Sequence, residues 1–319
     1  MILTVTLNAA IDRTVAVPSF RLGNRHRATE ARSSAGGKGI NVARALKLLG
    51  RPVIATGLAG GQNGLRILER LSQEQILHDF TTIGGESRIN LAVVDPTTNE
   101  QTEINERGPV VSAEEAERFV DRLVYLAEGA SLGVLSGSLP PGLPDDTYAR
   151  LIEALRSAGV DVLFDTDGEL MRQGLPALPD VVCPNVIEAE EAAGFEFADA
   201  EDTAAGLQSL LEMGAKEAII TSPSGCAAVV GEGVERRRYD VSIGSLEPVS
   251  STGSGDCFLA GYAAARYEGG SPADCLAMGV ACGAESTQHL GAGNLDRRAA
   301  ERLVSEVEVV EAPLALEVG

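Results

Sequence analysis

The stretch SSTGSGDCFLAG, residues 250–261, brings small and hydroxylated residues directly before an apolar pattern of helical spacing. Two glycines and a serine, residues 253–255, form a turn, and Asp256 follows at the predicted start of a helix over 256–267. Backbone N–H groups in such a turn point into one concavity at the positive end of the helix, which predicts an anion site. Asp256 is then either a helix cap or a reactive carboxylate beside a bound anion.

The length and composition predict a globular α/β protein with a substantial core. The chain has 319 residues, of which 44% are hydrophobic, enough for one large domain or two modest ones. The first residues lack a basic start followed by an apolar run, and no later run approaches membrane-spanning length, so we expect a cytoplasmic protein. The cysteines are odd in number and show no C-x-x-C spacing, which favours reduced, buried thiols over zinc or disulfides: Cys183, Cys226, Cys257, Cys275 and Cys282.

The net charge of −20 argues against nucleic acid and anionic membranes as partners, because both require clustered Lys and Arg. The charge is unevenly distributed. Residues 1–107 contain 13 Lys and Arg against 10 Asp and Glu, whereas residues 108–319 contain 13 against 36. The slightly basic first third fits either a local anion site or scattered surface arginines.

Short β-branched runs alternate with helical patterns along the whole chain, which is typical of a mostly parallel sheet covered by helices on both faces. The predicted strands are 2–7, 53–56, 132–135, 160–164, 181–183 and 218–221, and the predicted helices are 41–49, 113–128, 146–158, 203–213, 256–267 and 272–289. Residues 13–32 and 88–106 lack helical periodicity and are predicted as strands of a small lid. No linker separates two units, so we expect a single domain over 1–319.

Polar, turn-forming residues follow at least five of the predicted strands, where open parallel sheets bind their ligands. These loops begin at Asn8, Ser136, Asp165, Pro184 and Ser222. Together with the anion site they suggest phosphoryl transfer, in which an enzyme stabilises charge on the transferred group and positions a hydroxyl group for attack. A carboxylate beside the anion site could accept the proton of that hydroxyl group.

Two Gly-rich stretches do not match better-known nucleotide motifs. SSAGGKGINVA, residues 33–43, has no Ser or Thr after its Lys and lacks the earlier Gly of a Walker A loop. In residues 250–261, Phe258 replaces the third Gly of a dinucleotide fingerprint, and no βαβ unit follows. A dehydrogenase is therefore not favoured.

Six motifs in order together resemble the ribokinase-like PfkB carbohydrate kinases, in particular their phosphosugar branch of 1-phosphofructokinase and tagatose-6-phosphate kinase. They are Asn8-x-x-x-Asp12, Gly36-Gly-Lys-Gly-Ile-Asn41, Ser87-Arg88-Ile-Asn90, Ser136-Gly-Ser-Leu-Pro-Pro-Gly142, Pro184-Asn185-x-x-Glu188 and Thr252-Gly-Ser-Gly-Asp256. The similarity extends over about residues 1–290. It implies a Rossmann-like α/β domain with a β-sheet lid, ATP as the phosphoryl donor, Mg²⁺ on its phosphates, and a homodimer formed through the lid.

The resemblance also implies roles for individual residues. Asp256 would be the general base, and the backbone of Gly253, Ser254 and Gly255 would form the anion hole. Sugar-binding positions would be Asp12, Gly37, Asn41 and Ser138, and the residues at or beside the site of the substrate's own phosphate would be Arg25, Lys38 and Arg88. Asn185 and Glu188 would hold the phosphates and hydrated Mg²⁺, because Mg²⁺ keeps most of its waters. Further ATP contacts would come from Ser222, Gly225 and Gly283.

The sequence departs from the family pattern at three places, of which the second and third bear on nucleotide binding. Ala9 replaces the usual Pro of the first motif. Cys183 replaces the Lys common before Pro-Asn, so one cation near the ATP phosphates is missing or is supplied from elsewhere. The nucleotide loop, residues 221–225, contains Pro223 and is one residue shorter than usual.

The sequence thus predicts an ATP-dependent ketohexose-phosphate kinase, with fructose 1-phosphate as the favoured acceptor because residues 87–91 resemble the 1-phosphofructokinase version of their motif. Residues 1–8, 55–61 and 107–109 look equally like tagatose-6-phosphate kinase, and fructose 6-phosphate is a third alternative. A different class, a non-catalytic sensor of sugar phosphate or nucleotide, would need neither Asp256 nor the glycines before it.

Overall fold

The structure is a computed structural model that describes residues 1–98, 100–231, 233–244 and 246–312. The predicted single domain over 1–319 includes residues 313–319, which lie outside the described residues. The strands are β1 (Ile2–Thr6), β2 (Ala10–Ala16), β3 (Glu30–Gly36), β4 (Val53–Gly60), β5 (Leu77–Ile83), β6 (Arg88–Asp95), β7 (Glu100–Asn105), β8 (Leu132–Ser136), β9 (Asp161–Asp165), β10 (Val181–Val182), β11 (Glu217–Ser222), β12 (Gly225–Val230), β13 (Arg237–Ser242) and β14 (Glu308–Ala312). The helices are α1 (Lys38–Leu48), α2 (Gly61–Gln73), α3 (Ala113–Ala127), α4 (Thr147–Ser157), α5 (Gly168–Gly174), α6 (Val186–Ala193), α7 (Ala200–Glu212), α8 (Ser254–Tyr267), α9 (Pro272–Ser286) and α10 (Arg297–Leu303).

The strands form a large sheet of order β14-β13-β12-β11-β10-β9-β8-β1-β4-β5 and a small sheet of order β3-β2-β6-β7. Pairing in the large sheet is parallel from β11 to β5 and antiparallel from β11 to β14. The predicted fold class, a mostly parallel sheet flanked by helices with a separate small sheet, is confirmed.

Strand β1 is the third strand from one edge of the large sheet, and all five of its residues are buried. Chain order runs outward from it in both directions, because β4 pairs with one side of β1 and β8 with the other. The crevice beyond the carboxyl ends of strands at such a reversal is where open α/β sheets bind ligands. Strand β2 and helix α1 both start there, with three residues between β1 and β2 and one residue between β3 and α1.

Two apolar clusters fill the two faces of the large sheet. One contains buried residues of α1, α2, α8, α9 and α10, and the other contains buried residues of α3 to α7. Alternation along β1 accounts for the division, since Ile2 packs into the first cluster while Leu3 and Val5 pack into the second. The five cysteines are all buried and free, as predicted.

Several elements differ from the sequence prediction. Helix α1 begins at Lys38, three residues before the predicted 41–49, and α9 ends at Ser286 rather than at residue 289. Within 13–32 only the two ends are strands, and residues 17–29 connect them. Helix α2 and strand β5 carried no prediction; α2 begins after Gly60 with no side-chain cap, so the usual start signal is missing.

Candidate active site

The turn before α8 leaves backbone donors unpartnered at the positive end of the helix. Gly253 is the N-cap residue with a φ of 81°, and no side chain caps the helix. The Ser254 amide donates to the Ser251 carbonyl at 3.2 Å, whereas among the described residues nothing accepts from the amides of Gly255 and Asp256. Unpaired N–H groups at a helix start, reinforced by the helix dipole, favour a bound anion.

The Asp256 carboxylate does not cap this helix. Its residue is 6% exposed, and Oδ2 accepts a hydrogen bond from Asn41 Nδ2 of α1 at 2.8 Å. Burial raises the pKa of Asp256 to about 7, while Lys38 and the Asn41 hydrogen bond partly oppose that rise. A carboxylate with this pKa accepts a proton readily near neutral pH, as a general base requires.

Lys38, at the start of α1, crosses from the small sheet to the ends of the parallel strands. Its Nζ lies 3.0 Å from Glu188 Oε1 and 3.3 Å from Asp165 Oδ2. Burial alone would lower the pKa of Lys38, but the carboxylates of Asp165, Glu188 and Asp256 hold it above its usual value. The lysine therefore stays charged between acids from three different elements.

Asp165 has no role in the sequence prediction, although it directly follows an apolar strand at the correct edge. Burial raises its pKa to about 6, an effect that Lys38 opposes. Cys183 is buried nearby. Its burial, together with the charges of Asp165 and Glu188, holds the pKa of its thiol well above the usual value. The cation that the described structure has beside Asp165 and Glu188 is Lys38; its predicted place beside the substrate's phosphate stays a prediction.

Asn185 and Glu188 form a capping box at the start of α6. The Glu188 amide donates to Asn185 Oδ1 at 3.0 Å, and the Asn185 amide donates to Glu188 Oε2 at 2.9 Å. This arrangement fixes the Glu188 carboxylate so that its other oxygen faces Lys38.

The small sheet contributes a further acid, Asp12, to the crevice. Asp12 on β2 accepts from Asn90 Nδ2 on β6 at 2.9 Å, and burial raises its pKa. Arg88 begins β6, where its Nε donates to the Asn8 carbonyl at 3.1 Å and its Nη1 to the Glu106 carbonyl at 3.0 Å. Pairing of β2 with β6 thus brings a carboxylate and a guanidinium group to one side of the crevice.

The loops after β1 and β8 close the other side. Asn8 Nδ2 donates to Ser138 Oγ at 3.2 Å and to the Arg107 carbonyl at 3.1 Å, which joins the two loops at the reversal point. Gly37 is the N-cap residue of α1, between β3 and Lys38. The sequence had assigned Gly37 and Ser138 to sugar binding but had given Asn8 no role.

Four assigned residues lie outside this cluster of side-chain contacts. Arg25 is exposed in the 17–29 connection and has no hydrogen bond or ion pair with any described residue. Ser222 and Gly225 are in the hairpin between β11 and β12, where a Cβ on Gly225 would come within 1.9 Å of the Val241 carbonyl oxygen. A Cβ on Gly283 would lie 3.3 Å from atoms of Phe258 and Ser254. Close packing alone explains these two glycines, so their ATP contacts stay predictions.

The described residues show neither a membrane-spanning helix nor a cluster of metal-binding side chains. No described helix is both long and apolar enough to cross a membrane. Over the same residues, no three His, Cys, Asp or Glu side chains are grouped as they would be to hold a metal ion by themselves.

The chain is similar to carbohydrate kinases over nearly its whole length. The model of the pfkB family of carbohydrate kinases matches residues 3–298. A Thermotoga maritima protein described as "Possible 1-phosphofructokinase" is 26% identical, with a TM-score of 0.87 over 98% of this chain and 100% of that one.

Phosphofructokinase-2 from Escherichia coli, solved with substrates and products, is also 26% identical, with a TM-score of 0.87 over 95% of this chain and 98% of that one. The same enzyme has been solved as a tetrameric inhibited form. Ribokinase from Arabidopsis thaliana, solved with ribose and ATP, is 21% identical with a TM-score of 0.74 over 95% and 98% of the two chains, and this likeness shows the fold alone.

Proposed function

The chain belongs to the pfkB family of carbohydrate kinases, and we propose that it transfers the γ-phosphoryl group of ATP to a primary hydroxyl group of a ketohexose phosphate. The observation that supports this reaction best is made at the start of α8, where a buried carboxylate lies beside backbone donors without a partner. The carboxylate is that of Asp256, and the donors are the amides of Gly255 and Asp256. Fructose 1-phosphate is the proposed acceptor, and fructose 1,6-bisphosphate the product.

In the proposed mechanism Asp256 accepts the proton of the attacking hydroxyl group as the new O–P bond forms. The free amides at the start of α8 stabilise the negative charge on the transferred group, since their dipoles are already oriented toward it. Asp12 and Asn41 orient the sugar through its hydroxyl groups. The small sheet excludes water that would otherwise hydrolyse ATP.

The acids around Lys38 fit a hydrated Mg²⁺ ion better than a fully protein-bound one. Asp165 and Glu188 already share one cation, the Lys38 ammonium group, and the described residues contain no group of three or more His, Cys, Asp and Glu side chains that could hold the ion by itself. Mg²⁺ typically keeps several waters and takes its other ligands from carboxylates and substrate phosphates. Bound there through Glu188 and Asp165, it would neutralise charge on the ATP phosphates.

Lys38 is proposed as the lysine that contacts the transferred phosphoryl group, in place of the lysine that Cys183 replaces. We expect Lys38→Met to lower kcat by about 10²-fold, because a cation held by preorganised carboxylates is lost from the transition state. The double variant with Cys183→Lys, which returns an ammonium group beside Asp165 and Glu188, should recover about tenfold, or about 1.4 kcal/mol of the barrier. Steady-state ADP release measures both.

Lys47→Met is the matched control, because Lys47 is on the same helix but exposed in its last turn. It should have wild-type kcat. A Lys38→Met enzyme as active as the Lys47→Met enzyme would remove Lys38 from the mechanism.

Arg88 is proposed to bind the phosphate that the substrate already carries, with Arg25 of the 17–29 connection approaching the same group. Arg88→Ala is expected to raise the KM for fructose 1-phosphate by about 10- to 10²-fold, the usual range for one charge-assisted hydrogen bond. The KM for ATP should stay nearly constant. Arg32→Ala, which removes an exposed arginine of the same sheet, serves as the control.

Fructose without phosphate distinguishes phosphate binding from a general loosening of the site. Arg88 also donates to the Asn8 and Glu106 carbonyls, so its loss could disturb the loops themselves. If the variant weakens fructose and fructose 1-phosphate equally, Arg88 supports the loops and does not bind phosphate.

The acceptor itself is tested by ADP release with Mg-ATP and fructose 1-phosphate, tagatose 6-phosphate, fructose 6-phosphate or fructose. Tagatose 6-phosphate stays an alternative because residues 1–8, 55–61 and 107–109 resemble its kinases. Fructose 6-phosphate is the other, since the similar E. coli enzyme has been solved with that sugar. The highest kcat/KM is expected for fructose 1-phosphate, and a higher value for another phosphosugar would replace it as the acceptor.

We further propose that the enzyme acts in the cytoplasm, where ATP and Mg²⁺ are available, and that two copies associate through the small sheet. Ile104 of β7 is 60% exposed and Leu22 of the 17–29 connection is 91% exposed, so apolar surface is available on that side of the molecule. Light scattering of the purified protein tests the dimer.

A further inference from the structure

Arg44 is a buried arginine of α1 that binds Asn41 of the same helix and three other parts of the chain. It is 7% exposed, and its guanidinium group donates to Asn41 Oδ1 at 3.1 Å, to the Ala292 carbonyl at 3.1 Å and to the Ala35 carbonyl at 2.7 Å. Its Nε also pairs with Glu74 Oε2 at 2.6 Å. Because this buried guanidinium group binds β3, the C-cap residue of α2 and the backbone at residue 292, it holds those segments in one arrangement around α1.

The contact with Asn41 determines which end of that carboxamide meets Asp256. A carboxamide has an accepting oxygen and a donating nitrogen, and a guanidinium group can only donate. Arg44 therefore holds the oxygen of Asn41 toward itself and leaves the NH₂ group for Asp256 Oδ2, at 2.8 Å. Without Arg44 the amide could turn over and place its oxygen against the carboxylate.

The contact with Ala292 connects the same arginine to the anion site. A Cβ on Gly253 would lie 2.6 Å from the Ala292 Cβ, and a Cβ on Gly293 would lie 2.5 Å from the Asn41 carbonyl oxygen. The backbone at 292–293 is thus packed between α1 and the turn before α8. The hydrogen bond to the Ala292 carbonyl therefore helps to fix the Arg44 guanidinium group in the orientation in which it binds Asn41.

We propose that Arg44 is a positioning residue of the kinase reaction: it fixes the Asn41 carboxamide so that its NH₂ group holds Asp256 in place beside the anion site. This proposal rests on the proposed function. It assigns Arg44 no contact with sugar or ATP.

The pKa of Asp256 reports on its hydrogen bond with Asn41. The charged groups that act on Asp256 are Lys38 of α1, Asp165 of β9 and Asp12 of β2, while on the neighbouring helix α9 Glu285 acts on Cys257. The Asn41 hydrogen bond lowers the Asp256 pKa, against the larger effect of burial. Losing that bond therefore raises the pKa of Asp256 and moves the acid limb of the kcat–pH profile to higher pH.

The kinetic test compares Arg44→Met, Arg44→Lys, Asn41→Ala and the double variant of Arg44→Met with Asn41→Ala. We expect Arg44→Met to lower kcat by about 10- to 10²-fold, the scale of a misplaced reacting group, with little change in the KM for ATP. The kcat of Arg44→Lys should lie between those of Arg44→Met and the wild type. The double variant should be no slower than Asn41→Ala alone, because Arg44 acts through Asn41. If the fold-loss in kcat of the double variant equals the product of the two single losses, the proposal is overturned.

Arg266→Met is the control, since Arg266 is a partly buried arginine paired with Glu217 at 2.6 Å toward the far end of α8. It should lose thermal stability and keep its kcat. An equal fall in kcat for Arg266→Met and Arg44→Met would mean that stability alone explains both, which also overturns the proposal.

A titration of the Asp256 carboxyl group by ¹³C NMR is independent of activity. The pKa of Asp256 is expected to be higher in Arg44→Lys than in the wild type, and in Arg44→Met higher again if that variant folds. An unchanged pKa in the folded Arg44→Lys protein overturns the proposal even if the wild type is an active kinase. If the wild type releases no ADP with any sugar, the proposed function is wrong, and the titration still decides whether Arg44 positions Asp256.

Discussion

Replacing Asp256 with Asn is expected to lower kcat by about 10²- to 10⁴-fold, the usual scale for loss of a general base. The carboxylate is buried, is held by Asn41 and has a pKa of about 7, so it can take a proton from a sugar hydroxyl group near neutral pH. Asn has nearly the same shape and can still bond Asn41, but it cannot accept the proton. The KM values of ATP and sugar should change little, and initial-rate kinetics measure all three parameters.

Asp180→Asn provides a matched control, because Asp180 is also buried but pairs with Lys216 at 2.6 Å elsewhere in the fold. This variant should be less stable and fully active. A folded Asp256→Asn enzyme with wild-type kcat would leave Asp256 a purely structural residue.

The same substitution should affect stability in a pH-dependent way. The folded-state pKa of Asp256, about 7, lies above the ordinary value of 3.8, so the native state binds this proton more tightly than the unfolded chain does. Ionisation of Asp256 therefore destabilises the native state. This loss of stability is absent below about pH 4, grows as the pH rises from about 4 to about 7, and is complete above about pH 7. Asp256→Asn should therefore raise Tm at pH 8 and leave it nearly unchanged at pH 4, as measured by calorimetry.

The wild-type pH profile follows from the same value. Protonation removes the base, so kcat/KM is expected to fall as the pH decreases through about 7. The residual activity of Asp256→Asn should lack this acid limb.

Replacing Gly253 with Ala is expected to lower kcat by about 10²- to 10³-fold, as measured after loss of an oxyanion donor in other enzymes. Gly253 has a φ of 81°, and an added Cβ would lie 2.6 Å from the Ala292 Cβ and 2.7 Å from its Cα. The turn must move to relieve that contact, which displaces the free amides of Gly255 and Asp256 from the transferred group. Initial-rate kinetics with saturating ATP and sugar measure the loss.

Gly269→Ala separates this local displacement from backbone strain. Gly269 follows the opposite end of α8, has a φ of 78°, and an added Cβ there would meet nothing within 4 Å. It should lose about 1 kcal/mol of stability from the left-handed conformation and keep its kcat. If Gly253→Ala and Gly269→Ala have the same kcat, the turn does not support catalysis.

The layers of the fold could be predicted because each depends on local patterns. The short β-branched runs that alternate with helical patterns indicated a parallel sheet, and the position of Asp256 after its glycines indicated an anion site. The antiparallel edge from β12 to β14 was not predicted, since β14 joins it from residues 308–312, far along the chain. Strand pairing over such a separation depends on tertiary packing and leaves little local signal.

The partners of individual side chains were less predictable than their positions. Lys38 is predicted near the sugar phosphate, and its pairing with Asp165 and Glu188, which lie 127 and 150 residues further along the chain, was not predicted. A long, flexible side chain reaches whichever acids the fold brings near, and one sequence does not encode that choice locally. For Gly225 and Gly283 the role could not be predicted from the residue type, because close packing and contact with a ligand both require glycine.

The most direct measurement of phosphoryl transfer follows ATP, ADP and sugar phosphates by ³¹P NMR in one reaction of the purified protein with Mg-ATP and fructose 1-phosphate. We predict that ADP and a sugar bisphosphate appear in equal amounts, that neither forms without the sugar, and that Asp256→Asn slows both together. If the γ-phosphoryl group is released only as inorganic phosphate, or if ATP persists with fructose 1-phosphate, tagatose 6-phosphate and fructose 6-phosphate alike, the protein is not a phosphosugar kinase.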